Sequence, residues 1–82
     1  MSHDVLTEVR TIFKNLFGID PQLVSMETRA DDVPGWDSVG HLSLGASLEE
    51  VFAIDLDADD LMEMSDVREI VRTIEAKRGI HV

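Results

Sequence analysis

Two side chains in the stretch Pro34-Gly35-Trp36-Asp37-Ser38-Val39-Gly40-His41-Leu42 are of types that take part in chemistry, a serine and a histidine. Pro34 and Gly35 break whatever element precedes them. Asp37 and Ser38 are residue types that cap a helix, because their side-chain oxygens accept from backbone N–H groups that have no helical partner. Ser38 therefore stands at the mouth of a predicted helix, where free N–H groups and the positive end of the dipole favour an attached phosphate. The plainer use of the same residue is as a cap alone. Ser38 and His41 do not read as a hydrolytic pair, since nothing orients the histidine as a base and no nucleophile elbow surrounds the serine. His41 lies two residues past the apolar Val39 and is expected to face outward.

A third group is acidic. Asp55, Asp57 and Asp59 alternate as at the start of a calcium loop, with Asp60 beside them. The sixth place of that loop wants glycine and holds Asp60, and the twelfth wants glutamate and holds Asp66. No true metal site is expected; the cluster Asp55, Asp57, Asp59 and Asp60 allows only weak, nonspecific divalent binding.

The run Asp37-Ser38-Val39-Gly40-His41-Leu42-Ser43-Leu44 resembles the attachment site of acyl carrier proteins, and Leu48-Glu49-Glu50-Val51-Phe52 resembles that family's Leu-Glu-Glu-x-Phe. The resemblance extends over residues 3 to 78. It implies an all-α four-helix bundle and a protein that catalyses nothing itself. Ser38 would carry 4′-phosphopantetheine donated by coenzyme A, and the arm's thiol would hold an acyl or aminoacyl group as a thioester. Asp37 would assist the phosphopantetheinyl transferase. Val39, Leu42, Glu49 and Glu50 would form the face read by partners: that transferase, a loading ligase, and transferases or synthases with basic docking patches. Fatty-acid carriers place further acids just after the serine, where this chain has Gly40 and Ser43. The resemblance thus points to a specialised free-standing carrier of a polyketide, aminoacyl, lipid or polysaccharide-modifying pathway. The competing class is a non-carrier acidic helical interaction module with Ser38 as a plain cap.

Composition narrows the field independently. Eighty-two residues make one small domain, 1–82, and 44% hydrophobic residues suffice for a core. With no cysteine, any thioester must use a thiol brought in on a prosthetic group. Seven basic residues against seventeen acidic ones give a net charge of −10, which repels nucleic acid and anionic membrane and attracts basic protein surfaces. No apolar run is long enough to span a bilayer and no signal-peptide pattern opens the chain, so a cytoplasmic monomer is the expectation.

The elements that must position Ser38 are legible as apolar stripes. Residues 3–17 predict a first helix through Val5, Val9, Ile12, Phe13, Leu16 and Phe17, with Asp4 in its first turn, His3 solvated before it and Gly18 as its stop. Residues 18–36 form a long connection anchored by Leu23, Val24, Met26 and Val33, with a short helical turn within Ser25–Asp32 and Trp36 packed on the bundle. The second helix covers 38–53, its core stripe read as Val39, Leu42, Ala46, Leu48, Val51 and Phe52. Gly40 and Gly45 weaken it, or allow close approach of a neighbour. A short third helix, 58–64, has Leu61, Met62 and Met64 as its apolar set. A fourth runs from a Ser65 or Asp66 cap to Arg78 through Val67, Ile70, Val71 and Ile74, with Gly79 as its stop and a fraying tail.

Overall fold

The computed structural model describes residues 5–78. Within them the chain folds as α1 (Val5–Phe17), α2 (Ser38–Phe52), α3 (Ala58–Glu63) and α4 (Val67–Arg78), with two 3-10 turns at Pro21–Leu23 and Ala30–Asp32. The expected all-α bundle with three longer helices and one short one is what forms. The only strand-like pairing among the described residues is an isolated bridge between Arg29 and Asp66. His3, Asp4, Gly79 and the tail lie outside the described residues.

α1 and α4 are amphipathic, so each has one face it can bury. α1 contributes Val5, Val9, Ile12 and Phe13 to the core, and α4 contributes Val67, Ile70, Val71 and Ile74. α2 is different. Its buried residues are Leu44, Gly45, Leu48 and Phe52, one i, i+4, i+8 row with a glycine beside it. The stripe read from the sequence is corrected: Val39, Leu42, Ala46 and Val51 are exposed. α2 is apolar on more than one side, so periodicity alone could not choose the buried row, and packing against α1 chose it.

The long connection is ordered by specific bonds. The Asp20 carboxylate caps the first 3-10 turn by accepting from the Gln22 N–H at 2.9 Å. Arg10 Nε donates to the Val24 carbonyl at 2.7 Å and ties the connection to α1. Thr28, a buried polar residue, accepts from the Ser25 N–H and donates to the Leu23 carbonyl. Its own carbonyl and that of Met26 accept from the N–H groups of Val67 and Arg68, the first turn of α4, so the connection also satisfies a helix end. Val24 and Val33 are core anchors as expected and Met26 is half-buried, but Leu23 is exposed and anchors nothing. Leu23 ends the first 3-10 turn on its solvent side.

α3 buries no residue completely. Met64, just past its end, is fully buried, whereas Met62 is 79% exposed, which corrects its place in the apolar set. What fixes α3 is a notch and three polar links. Leu61 lies so close to Gly45 that a Cβ there would stand 2.7 Å from Leu61 Cδ2. Asp57 and Asp60 cap each other's N–H groups at the start of the helix. Asp60 also pairs with Lys77 of α4 at 2.7 Å, and His41 of α2 reaches the Leu61 carbonyl.

Candidate functional site

Ser38 is placed by the turn before it. Gly35 adopts a left-handed φ of 94°, and the Trp36 N–H closes back on the Val33 carbonyl at 3.1 Å. Asp37 then caps α2: its Oδ1 accepts from the Gly40 N–H at 2.8 Å. Gly40 is required at that place, because a Cβ would collide with the Gly35 carbonyl oxygen. The glycine thus serves a close approach within this chain. The cap satisfies one of the orphan donors of the first turn and leaves those of Ser38 and Val39 at the helix mouth.

Ser38 is the first residue of α2 and is exposed, and among the described residues no hydrogen bond engages its hydroxyl. Open grooves flank it. One, of about 370 Å³, is lined by Ala30, Trp36, Asp37, Ser38, His41, Leu61, Met62, Met64 and Ser65. The other, of about 360 Å³, lies between Ser38, His41 and Leu42 of α2 and Ala58, Leu61 and Met62 of α3. Leu42 and Met62 on its walls and Val39 nearby on α2 stand 64%, 79% and 73% exposed, an unusual concentration of large apolar side chains on a small surface.

Trp36 is buried, edge-on to Phe13 at 5.1 Å and stacked with Phe17 at 6.3 Å, and so packs the connection on α1 as expected. His41 is the correction. Instead of facing solvent it is half-buried, with Nδ1 accepting from Trp36 Nε1 at 2.8 Å and Nε2 2.7 Å from the Leu61 carbonyl. Helical phase said only that it lay off the apolar row. An aromatic donor five residues earlier and the Leu61 carbonyl of α3, which also accepts from the Met64 N–H, were invisible to local pattern.

The acids divide. Glu50 is exposed, but Glu49 is half-buried and its Oε2 accepts from the Leu56 N–H at 2.9 Å, holding the turn that follows α2. Of the two acids expected on the partner face, Glu49 thus has one oxygen engaged within the chain. Among the described residues no three histidine or acidic side chains converge to hold a metal ion. Of the acidic run, Asp57 and Asp60 are occupied in the reciprocal cap. The Lys77 ammonium, hydrogen-bonded to Asp60, holds that carboxyl below its ordinary value, helped by the Asp57 N–H. Asp60 in turn raises Lys77.

The helical bundle leaves the Ser38 hydroxyl free at a capped helix mouth, between grooves and among exposed apolar side chains. Residues 7–74 match the family described as the phosphopantetheine attachment site. Over 76 residues the chain is 32% identical to the acyl carrier protein of Thermotoga maritima, covering 93% of this chain and 94% of that one. It is 30% identical over 71 residues to the acyl carrier protein of Phytoplasma australiense, covering 87% and 93%. Over 75 residues it is 40% identical to the non-reducing polyketide synthase pkdA of Emericella nidulans, but there it spans 90% of this chain and only 3% of the synthase.

The chain belongs to the phosphopantetheine-binding carrier family, that of the acyl carrier proteins. Its function is that of a carrier whose prosthetic group is 4′-phosphopantetheine, and it is not itself an enzyme. The reading as a non-carrier interaction module is set aside by this match. The residues present fit the group: Ser38 offers an uncommitted hydroxyl, the mouth of α2 offers backbone donors for a phosphate, and the grooves offer apolar walls for an extended arm.

Proposed function

We propose that Ser38 is the attachment residue and that the chain carries an acyl or aminoacyl group of a specialised biosynthetic pathway. The observation that carries this is the exposed, unengaged hydroxyl of Ser38 at the first position of α2, fixed there by the Asp37 cap and the Gly35–Gly40 contact. The arm supplies a thiol that this cysteine-free chain lacks. Transfer from coenzyme A would make the Ser38 oxygen a phosphodiester, with the partner transferase supplying the chemistry. Asp37 holds the helix mouth in shape during that encounter, and its carboxylate is exposed to the transferase.

The proposed docking face is Val39 and Leu42 on α2, with Glu50 further along it; Glu49 shapes the same end of the helix from within. A loading ligase and acyl transferases or synthases with basic patches suit a chain of net charge −10. The similarity to a polyketide synthase, and Gly40 and Ser43 where fatty-acid carriers bear acids, favour a polyketide-type or other specialised cargo. Residues 1–82 are read as one carrier domain acting as a monomer in the cytoplasm. No helix among the described residues is long and apolar enough to cross a membrane.

Intact-mass spectrometry after incubation with coenzyme A and a phosphopantetheinyl transferase tests the assignment. One phosphopantetheine increment is expected on the wild type and none on Ser38→Ala. An increment that survives in Ser38→Ala, or that never appears on a folded wild type with a transferase active on a control carrier, overturns it.

A further inference from the structure

The bridge Trp36–His41–Leu61 is not needed to present a serine, yet it crosses the floor of the groove beside Ser38. Its chemistry fixes a protonation state. An indole N–H only donates, so His41 Nδ1, 2.8 Å from Trp36 Nε1, must be the acceptor. The remaining ring proton is then on Nε2, which donates to the Leu61 carbonyl at 2.7 Å. The two rings are inclined by 17° to one another, with centroids 6.1 Å apart. The two bonds therefore take the neutral ring in one tautomer, and the ring joins a rigid element to a weakly held one. Trp36 is wedged against Phe13 and Phe17, whereas α3 buries no residue completely.

We propose that His41 is a positioning residue that sets the placement of α3 beside Ser38, and that its protonation uncouples α3 from Trp36. A proton on Nδ1 would face the indole N–H, donor against donor, and that bond is lost. Trp36 cannot withdraw from the aromatic cluster without opening the core, so the ring turns, and the Leu61 carbonyl, which Nε2 holds together with the Met64 N–H, shifts with it. The charged groups around the ring set the direction of the change. On its own helix, Asp37 lines the same groove and offers a protonated ring a carboxylate to turn toward. α3 and its cap carry Asp57, Asp59, Asp60 and Glu63, none of which lines either groove, and Asp60 is engaged by Lys77 of α4. From the connection only Ala30 and Trp36 join the lining, and neither titrates. Leu61 is the element displaced because it bears both fastenings of α3 to α2, its carbonyl on His41 and its side chain in the Gly45 notch.

The weight of this device for cargo handling rests on Ser38 bearing the arm; the coupling itself does not. It is therefore tested on the unmodified chain by nitrogen-15 NMR between about pH 8 and about pH 5, where histidine side chains ordinarily change charge. The single indole N–H resonance, which belongs to Trp36, and the amides of Leu61 to Met64 are expected to move together with the His41 ring. Protection of those amides from exchange should fall about fivefold, the loss of one net hydrogen bond. In His41→Gln, whose amide can accept from the indole and donate to the carbonyl but does not titrate, the common transition should disappear. In Trp36→Phe the His41 ring should titrate with little response in α3. The wild-type titration decides without any variant: a His41 ring that titrates while the indole and α3 resonances stay still overturns the proposal. So does an unchanged transition in His41→Gln. Neither result bears on the Ser38 mass increment, so the two readings fail separately.

Discussion

α3 and α4 are neighbours in sequence joined by Met64 to Asp66, and they are held by different physics. α4 buries Val67, Ile70, Val71 and Ile74, has its first turn satisfied by Asp66 and by carbonyls of the long connection, and ends with Arg78 over the Phe52 ring at 5.5 Å. α3 buries none of its residues completely and depends on one glycine notch, a reciprocal aspartate cap, a half-exposed ion pair and one histidine. Burial is non-directional and cooperative with the whole core, so α4 opens only with the fold. Polar links at a surface are individually weak and can be released one at a time. The difference teaches where a carrier can afford movement: the wall of the groove beside Ser38 is the element least committed to the core.

The comparison breaks first if the two helices respond alike to loss of core volume. Ile70→Ala, at a fully buried site, is expected to lower unfolding stability by about 2–5 kcal/mol, read by denaturant titration. Met62→Ala, on the exposed side of α3, should change it by less than about 0.5 kcal/mol.

A finer cut uses the two glycines of α2. Gly40→Ala meets a backbone carbonyl, that of Gly35, which has no room to yield, so a loss of about 1–3 kcal/mol is expected together with loss of the Trp36–His41 bond. Gly45→Ala meets only the far end of the Leu61 side chain, and alanine gains about 1 kcal/mol in helix propensity. Its global stability should stay near that of the wild type, while the α3 amides lose protection in hydrogen exchange. A global loss in Gly45→Ala equal to that in Gly40→Ala would mean that α3 is part of the core after all.

The smallest effect concerns Asp60 and Lys77. The carboxyl is depressed by its ammonium partner, so its stabilisation is present above the ordinary carboxylate value and is lost as pH falls through the depressed one. The ammonium is raised, so its share is present below the ordinary lysine value and is lost as pH rises through the raised one. The pair therefore acts across the neutral range. Lys77→Gln should lower protection of α3 slightly there, leave α4 unchanged except at its last turn, and lose its effect in high salt, where exposed charges are screened. An effect that persists in molar salt would show that the pair is not the surface contact its exposure indicates.

How much of this was legible in the sequence follows from what each signal measures. α1 and α4 have a single apolar face, so spacing alone determined both where they run and what they bury. The position of Ser38 was equally local, since Pro34, Gly35 and the Asp37 cap end one element and start the next without help from the rest of the chain. The attachment motif lies wholly inside that local segment, which is why the family could be read before any fold was known.

Only the tertiary structure decided the matters that needed a partner. α2 offers apolar residues on more than one side, and its packing on α1 buried Leu44, Leu48 and Phe52 while leaving Val39 and Leu42 for the surface. Leu23 and Met62 are as hydrophobic as their buried neighbours, and only the direction of a 3-10 turn and of a short helix put them in solvent. Glu49 became a brace and His41 a bridge because Leu56 and Leu61, distant in sequence, present an N–H and a carbonyl to them. Sequence spacing records which face a residue shares along its own element. It carries no record of the donor or acceptor that another element brings to that face.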